Sequence, residues 1–307
     1  MSLYGWWLGK GPSGFGYSTR AEEVCAGLDL RGKNYLITGA NSGIGFETVR
    51  VLTAKGATVL AAARTREKAT AAASAAAASA ASATLPLECE LSEPSSVQQC
   101  LQEVRGLGLQ LDGIIANAGI MALPRLQQKH GLELQFLTNH LGHFQLVTGL
   151  LPLLSERGRV VILSSRAHRM APLSGIEFDN LGGERGYRPW RAYGQSKLAN
   201  LLFARALSRR IPQAVSAVHP GVIVTNLWRH LPGLVSWGMR LAGSLVLKSI
   251  AQGAATQVWA AVHPDAAELH GEYLVDCNRA CPTLLGRDEL LAERLWQESE
   301  KLLSRLN

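Results

Sequence analysis

Short apolar runs alternate along the chain with segments whose apolar residues recur at helical spacing. Lys33–Thr38 predicts a buried strand; Gly39-Ala-Asn-Ser-Gly43-Ile-Gly45 follows, and the helical pattern begins at Phe46 and runs to Lys55. Thr58–Ala63 predicts a second strand, Thr84–Cys89 a third and Asp112–Ala116 a fourth. Between the second and third, Ala69–Ala83 is nearly all Ala and Ser, which fits a helix or a low-complexity insert equally and is assigned no chemistry. Leu132–Leu154 reads as one long helix bearing Asn139 and His143, and Arg159–Leu163 as a fifth strand. The segment around Tyr193 is helical and Val215–His219 is a sixth strand. Ser249–His263 is an amphipathic helix, Glu272–Asp276 a last strand, and Asp288–Leu306 a closing Leu-rich helix. Such alternation implies an α/β fold: a doubly wound, Rossmann-type parallel sheet with helices on both faces. No internal repeat or composition break divides residues 31–307, so they form a single domain behind an N-terminal extension, 1–30.

Composition narrows the partners. The formal charge is +7, but Lys and Arg are dispersed, without the basic stripe that nucleic acid requires. A phosphorylated cofactor or anionic lipid fits better. Five scattered cysteines (Cys25, Cys89, Cys100, Cys277, Cys281) argue for a reducing compartment, with idle thiols as the default even for the neighbours Cys277 and Cys281. No metal site is expected. The first sixteen residues lack signal-peptide and transit-peptide character, and no apolar run reaches the length of a membrane span. Trp6, Trp7 and the apolar stretch Leu234–Leu247, with Trp237, Arg240 and the adjoining Lys248, predict reversible attachment to an anionic membrane surface.

The candidate chemistry lies at strand ends. Tyr193 and Lys197 are one helical turn apart on one face. A fixed ammonium there should lower the phenol pKa and fit Tyr193 for proton transfer, although the same spacing also suits a solvated helix face. The glycine turn Gly39–Gly45 between strand and helix suits a pyrophosphate resting on helix N-terminal amides, though its spacing is not Gly-x-Gly-x-x-Gly. Arg64 ends the second strand, where a basic residue suits a 2′-phosphate and points to NADP(H); Arg66 and Lys68 follow it. Asn117-Ala118-Gly119 ends the fourth strand with small residues that allow close approach to a cofactor.

Thr38-Gly-Ala-Asn-Ser-Gly-Ile-Gly45, Asn117-Ala-Gly119, Asn139, Ser165, Tyr193-x-x-x-Lys197 and Pro220-Gly221 with Thr225 resemble the short-chain dehydrogenase/reductase family in both order and spacing. Thr138-Asn-His-Leu-Gly-His-Phe144 and Ser164-Ser-Arg-Ala-His168 resemble its retinol-dehydrogenase branch. Gly11-Pro-Ser-Gly-Phe15, Trp190-Arg-Ala-Tyr-Gly-Gln-Ser-Lys197 and Val222-Ile-Val-Thr-Asn-Leu227 are similar to the subgroup associated with the protein translocon of the chloroplast inner envelope. The resemblance implies a catalytic set of Tyr193 as acid/base, Lys197 lowering its pKa and holding the nicotinamide ribose, Ser165 on the substrate oxygen and Asn139 supporting a water relay. It places Gly39, Ser42, Gly43, Ile44 and Gly45 on the phosphates, and Asn117, Ala118 and Gly119 beside the adenosine. Glu90 stands where the family usually has Asp against adenine, with Leu91 next to it, and Pro220, Val222 and Thr225 hold the nicotinamide end.

The substrate implied is a bulky apolar carbonyl or alcohol, retinoid-, steroid- or terpenoid-like. Met170–Arg191 would rim its pocket, and a lid over about 222–250 would cover it. The alternative is a redox-sensing NADP(H)-binding subunit of the translocon, peripheral on the stromal side of the chloroplast inner envelope; without the subgroup resemblance the location would be cytoplasmic. The same resemblance raises calmodulin binding near the C-terminus, but Asp288–Leu306 carries five acidic residues in its first thirteen and is read as a packing helix first.

Overall fold

The protein is described here by a computed structural model over residues 9–77, 82–223 and 247–306. In chain order, α1 (Ala21–Val24) precedes β1 (Asn34–Thr38), α2 (Gly43–Ala54), β2 (Thr58–Ala63), α3 (Arg66–Ala77), β3 (Thr84–Glu88), α4 (Pro94–Gly106) and β4 (Leu111–Ala116). A small hairpin, β5 (Gln128–Lys129) and β6 (Leu132–Glu133), leads to α5 (Gly142–Leu150) and β7 (Leu154–Leu163). Then come α6 (Pro189–Ser208), β8 (Ala214–His219), α7 (Ile250–Val262), β9 (Glu272–Val275), β10 (Asn278–Ala280) and α8 (Glu289–Leu306).

The main sheet runs β10-β9-β8-β7-β4-β1-β2-β3, and every pairing is parallel except β9 with β10. Adjacent residues of one strand feed opposite cores. Leu36, Leu60, Ile114 and Val160 face the layer of α4, α5, α6 and α8, while Ile37, Val59, Ile115 and Val161 face α1, α2 and α7. Both faces are covered, which is why these strands read as unbroken apolar runs. The chain moves outward from β1 through β2 and β3, then returns to β4 on the other side of β1. The carboxyl ends of β1 and β4 therefore part at a topological switch point, where open α/β sheets bind ligands.

Two elements differ from the sequence reading. Leu132–Leu154 is not one helix. Leu132 and Glu133 belong to β6; a turn at Leu134–Phe136 and a π-helical segment, Leu137–Leu141, precede α5. A 3-10 turn, Leu151–Leu153, follows, and Leu154 already starts β7. Pro152 lacks the amide that would continue the helix. The sheet is not wholly parallel either. Asp276 and Cys277, at φ of 52° and 61°, form a two-residue hairpin turn into the antiparallel β10. Asn-Gly or Asp-Gly would have announced that turn; here the Cys277 amide is held by Thr256 Oγ1 at 3.2 Å. The Ala-rich stretch, as far as Ala77, is helical as α3, one of the two readings its composition allows, and buries Ala69, Ala72, Ala73 and Ala76 at helical spacing.

Lys248 does not face lipid. It is 1% exposed, its ammonium pairs with the Asp276 carboxylate, and it lies 4.9 Å over the Tyr17 ring. Trp6, Trp7, Trp237, Arg240 and most of the expected lid lie outside the described residues. Among the described residues no helix is long and apolar enough to cross a membrane. The cysteines near the C-terminus are separated by environment: Cys277 is buried, which pushes its thiol up to about 12, and Cys281 is exposed. Helix α8 buries Ala292, Leu295 and Ser299, and its Glu289 and Glu293 pair with Arg205, Arg209 and Arg210 of the α6 end.

Gly142 is where α5 meets the β3–α4 loop. A Cβ there would fall 2.1 Å from the Leu91 carbonyl oxygen, a backbone atom that cannot swing aside. Gly142→Ala should lower unfolding stability in urea by about 1–3 kcal/mol. Gly106→Ala at the end of α4, where a Cβ would meet nothing within 4 Å, should be neutral or stabilise by up to about 1 kcal/mol.

Candidate active site

The crevice at the switch point begins with the turn from β1 into α2. Gly43 takes φ of 57°, and a Cβ on it would point into open space, while one on Gly45 would fall 2.2 Å from the Gly39 carbonyl. The turn is therefore tight beneath and open above. Ser42 is the N-cap of α2 but makes no side-chain capping bond, so the first amides of α2 remain available at the positive end of the helix dipole. Ile44, partly buried, packs against the α1/α2/α7 core. At the end of β4, Asn117 Nδ2 donates to the Thr38 carbonyl at 2.8 Å, and its Oδ1 is buried without a partner. Open space over Gly43, free helix amides and an unbonded amide oxygen together fit a dinucleotide phosphate and adenosine.

Arg64 stands at the end of β2, 60% exposed, with Nε 3.1 Å from Glu90 Oε2. Glu90 Oε1 also accepts from the Ser92 amide and hydroxyl, at 3.1 and 3.0 Å. Its carboxylate is thus shared between its own loop and Arg64. Leu91 is buried in the core, which leaves only its backbone for a ligand. Arg66 is spoken for: it bonds the Pro86 carbonyl and the Glu103 carboxylate.

The catalytic candidates meet at the end of β7. Lys197 Nζ donates to the Leu163 carbonyl at 3.1 Å, and Asn200 Nδ2 donates to the same oxygen at 2.8 Å. Ser164 Oγ donates to the Lys197 carbonyl at 2.7 Å, which fastens α6 to the strand. Ser165 caps the following 3-10 turn, accepting from the Ala167 amide at 3.1 Å, and it hydrogen-bonds the Tyr193 phenol. A Cβ on Gly119 would lie 3.1 Å from Asn139 Oδ1 and 3.4 Å from Lys197 Nζ, so the Asn117–Gly119 segment closes directly onto this group. Asn139 is held at both ends of its amide: Oδ1 accepts from the Ile120 amide at 2.8 Å, and Nδ2 donates to the Ile120 carbonyl and to Ser196 Oγ, each at 2.9 Å. Both of its donor hydrogens are engaged, so its side chain has no hydrogen to give a substrate.

The electrostatics differ from the sequence expectation. Burial pushes the Tyr193 phenol up to about 12, opposed only by the Ser165 hydrogen bond. The Lys197 ammonium is 5.8 Å from the ring centroid and turned toward the Leu163 carbonyl, so it does not produce the expected lowering. Burial instead brings Lys197 down to about 8. Pro220 and Val222 follow the β8 end, and Thr225 lies outside the described residues. Sequence reasoning missed two supports: Ser196, which donates to the Tyr193 carbonyl at 2.8 Å, and His168, whose Nδ1 lies 2.6 Å from the Ser165 carbonyl. Their signal was only that a Ser and a His stand beside named residues.

The segments near Tyr193 expose several large apolar side chains. Trp190 meets the phenol ring edge-on at 6.2 Å between centroids, Met170 and Leu173 are exposed on the segment after Ser165, and Val222 is exposed after β8.

Known proteins match this arrangement. The short chain dehydrogenase family profile covers residues 33–178. The chain is 38% identical to a short-chain dehydrogenase TIC 32 A, chloroplastic, of Brassica napus, with 100% of both chains covered. It is 35% identical to retinol dehydrogenase 14 of Homo sapiens, covering 90% of this chain and 88% of that one. Among solved structures, an uncharacterized protein from Mycobacterium paratuberculosis aligns with a TM-score of 0.73 at 34% identity, covering 91% of this chain and 97% of the other. Similarity at this level over the full length, joined to a parallel sheet that brings a Ser, a Tyr and a Lys to the end of β7, shows that the chain belongs to the short-chain dehydrogenase/reductase family.

Proposed function

We propose that this oxidoreductase exchanges a hydride between NADP(H) and a bulky apolar carbonyl or alcohol, with Tyr193 as the acid/base. The observation that carries the reading is the convergence of Ser165, Tyr193 and Lys197 beside Gly119. A bound nicotinamide cofactor supplies the hydride donor or acceptor carbon. Gly39, Ser42, Gly43, Ile44 and Gly45 cradle its phosphates, and Asn117, Ala118 and Gly119 face its adenosine side. Arg64 takes the 2′-phosphate, with Glu90 and Leu91 beside the adenine. Pro220, Val222 and Thr225 hold the nicotinamide end.

In the reducing direction Ser165 hydrogen-bonds the substrate oxygen and Tyr193 gives it a proton as negative charge develops there. A phenol near 12 is fully protonated at neutral pH, which suits an acid. Lys197 keeps a positive charge below about 8 and holds the nicotinamide ribose. Trp190, Met170 and Leu173 give the mouth an apolar wall, which favours retinoid-, steroid- or terpenoid-like substrates over small polar ones. A second reading, NADP(H) sensing in the chloroplast envelope translocon, is favoured by the full-length similarity to a chloroplastic relative. Both readings need the nucleotide site, and only the first needs Tyr193.

Tyr193→Phe should keep NADPH affinity close to that of the unmodified chain, followed by nucleotide fluorescence. It should lower kcat on a retinal, steroid or quinone carbonyl by about a hundred- to ten-thousand-fold. Full reductase activity in this variant would remove Tyr193 as the acid.

For cofactor choice, the unmodified chain should bind NADPH at least about tenfold tighter than NADH, the weight of one charge-assisted phosphate contact. Arg64→Asp should erase or reverse that ratio. Equal affinities before substitution would sink the NADP(H) assignment.

The pH profile tests Lys197. Its pKa is lowered, so the ammonium is present below about 8 and lost above it. Because kcat/KM reports groups of the free enzyme, reduction should decline on the alkaline side with a midpoint near that value. Lys197→Arg, always charged, should be slower but without that limb. A flat profile to pH 10 would show that this charge is not required.

A further inference from the structure

A buried polar chain runs from the end of β1 to Asn139, and His143 is its centre. His143 is fully buried; its Nε2 is 2.8 Å from Thr38 Oγ1, and its Nδ1 is 2.9 Å from the Asn139 carbonyl oxygen. The hydrogens on this chain are fixed by elimination. Thr38 Oγ1 accepts from the Asn117 and Ala118 amides, both at 2.9 Å. A hydroxyl has two lone pairs and one hydrogen, so with both lone pairs engaged Thr38 must donate to Nε2. Nε2 is then bare and the ring hydrogen sits on Nδ1, from which it donates to the Asn139 carbonyl. Burial pushes this imidazole down to about 4, with the Lys197 charge acting in the same direction, so the ring is neutral as the bonding requires.

We propose that His143 is a positioning residue that locks Asn139, and through it the Tyr193 helix, in register with the cofactor cradle. At one end the chain holds the two amides that begin the cradle segment Asn117–Gly119. At the other, Asn139 bonds Ser196 Oγ, which bonds the Tyr193 carbonyl. The π-helical segment that contains Asn139 ends with the Gly142 amide on the Leu137 carbonyl, one residue before His143. His143 thus projects from the first turn of α5 back onto the carbonyl four residues earlier, across the point where the helix changes pitch. A histidine serving only as core filling would need no fixed tautomer, and an apolar side chain of similar volume would replace it at little kinetic cost.

The kinetic part rests on the acid/base assignment of Tyr193; the proton layout does not. In histidine-labelled protein, the nitrogen signals of His143, identified by their loss in His143→Asn, should show the neutral Nδ1–H tautomer unchanged from pH 6 to 8. An Nε2–H tautomer, or titration in that range, overturns the proposal whatever the activity. In turnover of NADPH with a reducible carbonyl, His143→Leu should lower kcat about a hundredfold, the usual effect of a misplaced reacting group. His143→Asn keeps a donor near the Nδ1 place and should retain most of kcat. His143→Gln puts its amide at the Nε2 end, where its oxygen can accept from Thr38, but leaves the Asn139 carbonyl without its donor, and should behave like His143→Leu. Thr38→Val should weaken NADPH binding as well as lower kcat, and Thr38→Ser should restore both. The double variant Thr38→Val/His143→Leu should be no worse than the poorer single one, because both break one chain. If His143→Leu does not fold, the contrast between Asn and Gln decides; equal losses in those two overturn the proposal. An unmodified chain that binds NADPH yet turns over no carbonyl would refute the enzymatic reading, and the tautomer would still judge the proton layout.

Discussion

One hydroxyl ties together the two strand ends at the switch point of the sheet. Thr38 ends β1 where β1 and β4 part, and its Oγ1 gathers the Asn117 and Ala118 amides that would otherwise be buried donors with no acceptor. The sheet alone leaves that gap, because a parallel pair cannot continue its ladder past the last residue of either strand. A threonine fills it from within, at hydrogen-bond length, and the glycine turn can then leave β1 in one direction while Asn117–Gly119 leaves β4 in the other. The Asn117–Gly119 segment and the group around Lys197 meet for this reason: a Cβ on Gly119 would lie 3.1 Å from Asn139 Oδ1 and 3.4 Å from Lys197 Nζ.

Burial sets the charge state of the centre more strongly than the neighbouring residues do. Tyr193 and Lys197 both sit where the neutral form is favoured, so one rises to about 12 and the other falls to about 8. The two groups are therefore held back from the ion pair that a helical wheel suggests. The Lys197 ammonium spends its hydrogen bond on the Leu163 carbonyl. Cofactor and substrate would add charge and hydrogen-bonding partners to a site that the protein alone leaves poised on the neutral side. Glu90, after β3, divides one carboxylate between Ser92 and Arg64.

Much of this could be read from the sequence, for a reason that is itself physical. Ligand-facing residues of this fold follow strand ends, and strands buried on both faces are apolar without interruption, so Thr38, Arg64, Asn117 and Ser165 could be placed by counting from the last apolar residue. Helical spacing puts Tyr193 and Lys197 on one face, and their roles, like that of Ser165, come from the resemblance to the short-chain dehydrogenase/reductase family. The features that escaped are those that long-range contacts decide. The π-helical turn at Leu137–Leu141 depends on bonds from Asn139 to Ile120 and on Gly142 against Leu91, none of which has a local signal. The β10 hairpin turns on Asp276 and Cys277 because Thr256 holds the turn from another helix. Lys248 looked like a surface cation, yet its partners Asp276 and Tyr17 are distant in the chain.

The amino-terminal segment joins the fold at its far end in sequence. The Ser13 amide bonds Asn278 Oδ1 across 265 positions, Asn278 Nδ2 bonds the Phe15 carbonyl, and α1 buries Ala21 and Val24 in the core shared with α7. A chain made from its amino terminus must therefore carry this segment unpaired until nearly all of the protein has emerged. Contacts of such sequence separation are slow to form, and the apolar surface they will cover is open to wrong partners meanwhile. Residues 13–24 find their place only after α7 and Asn278 have been made.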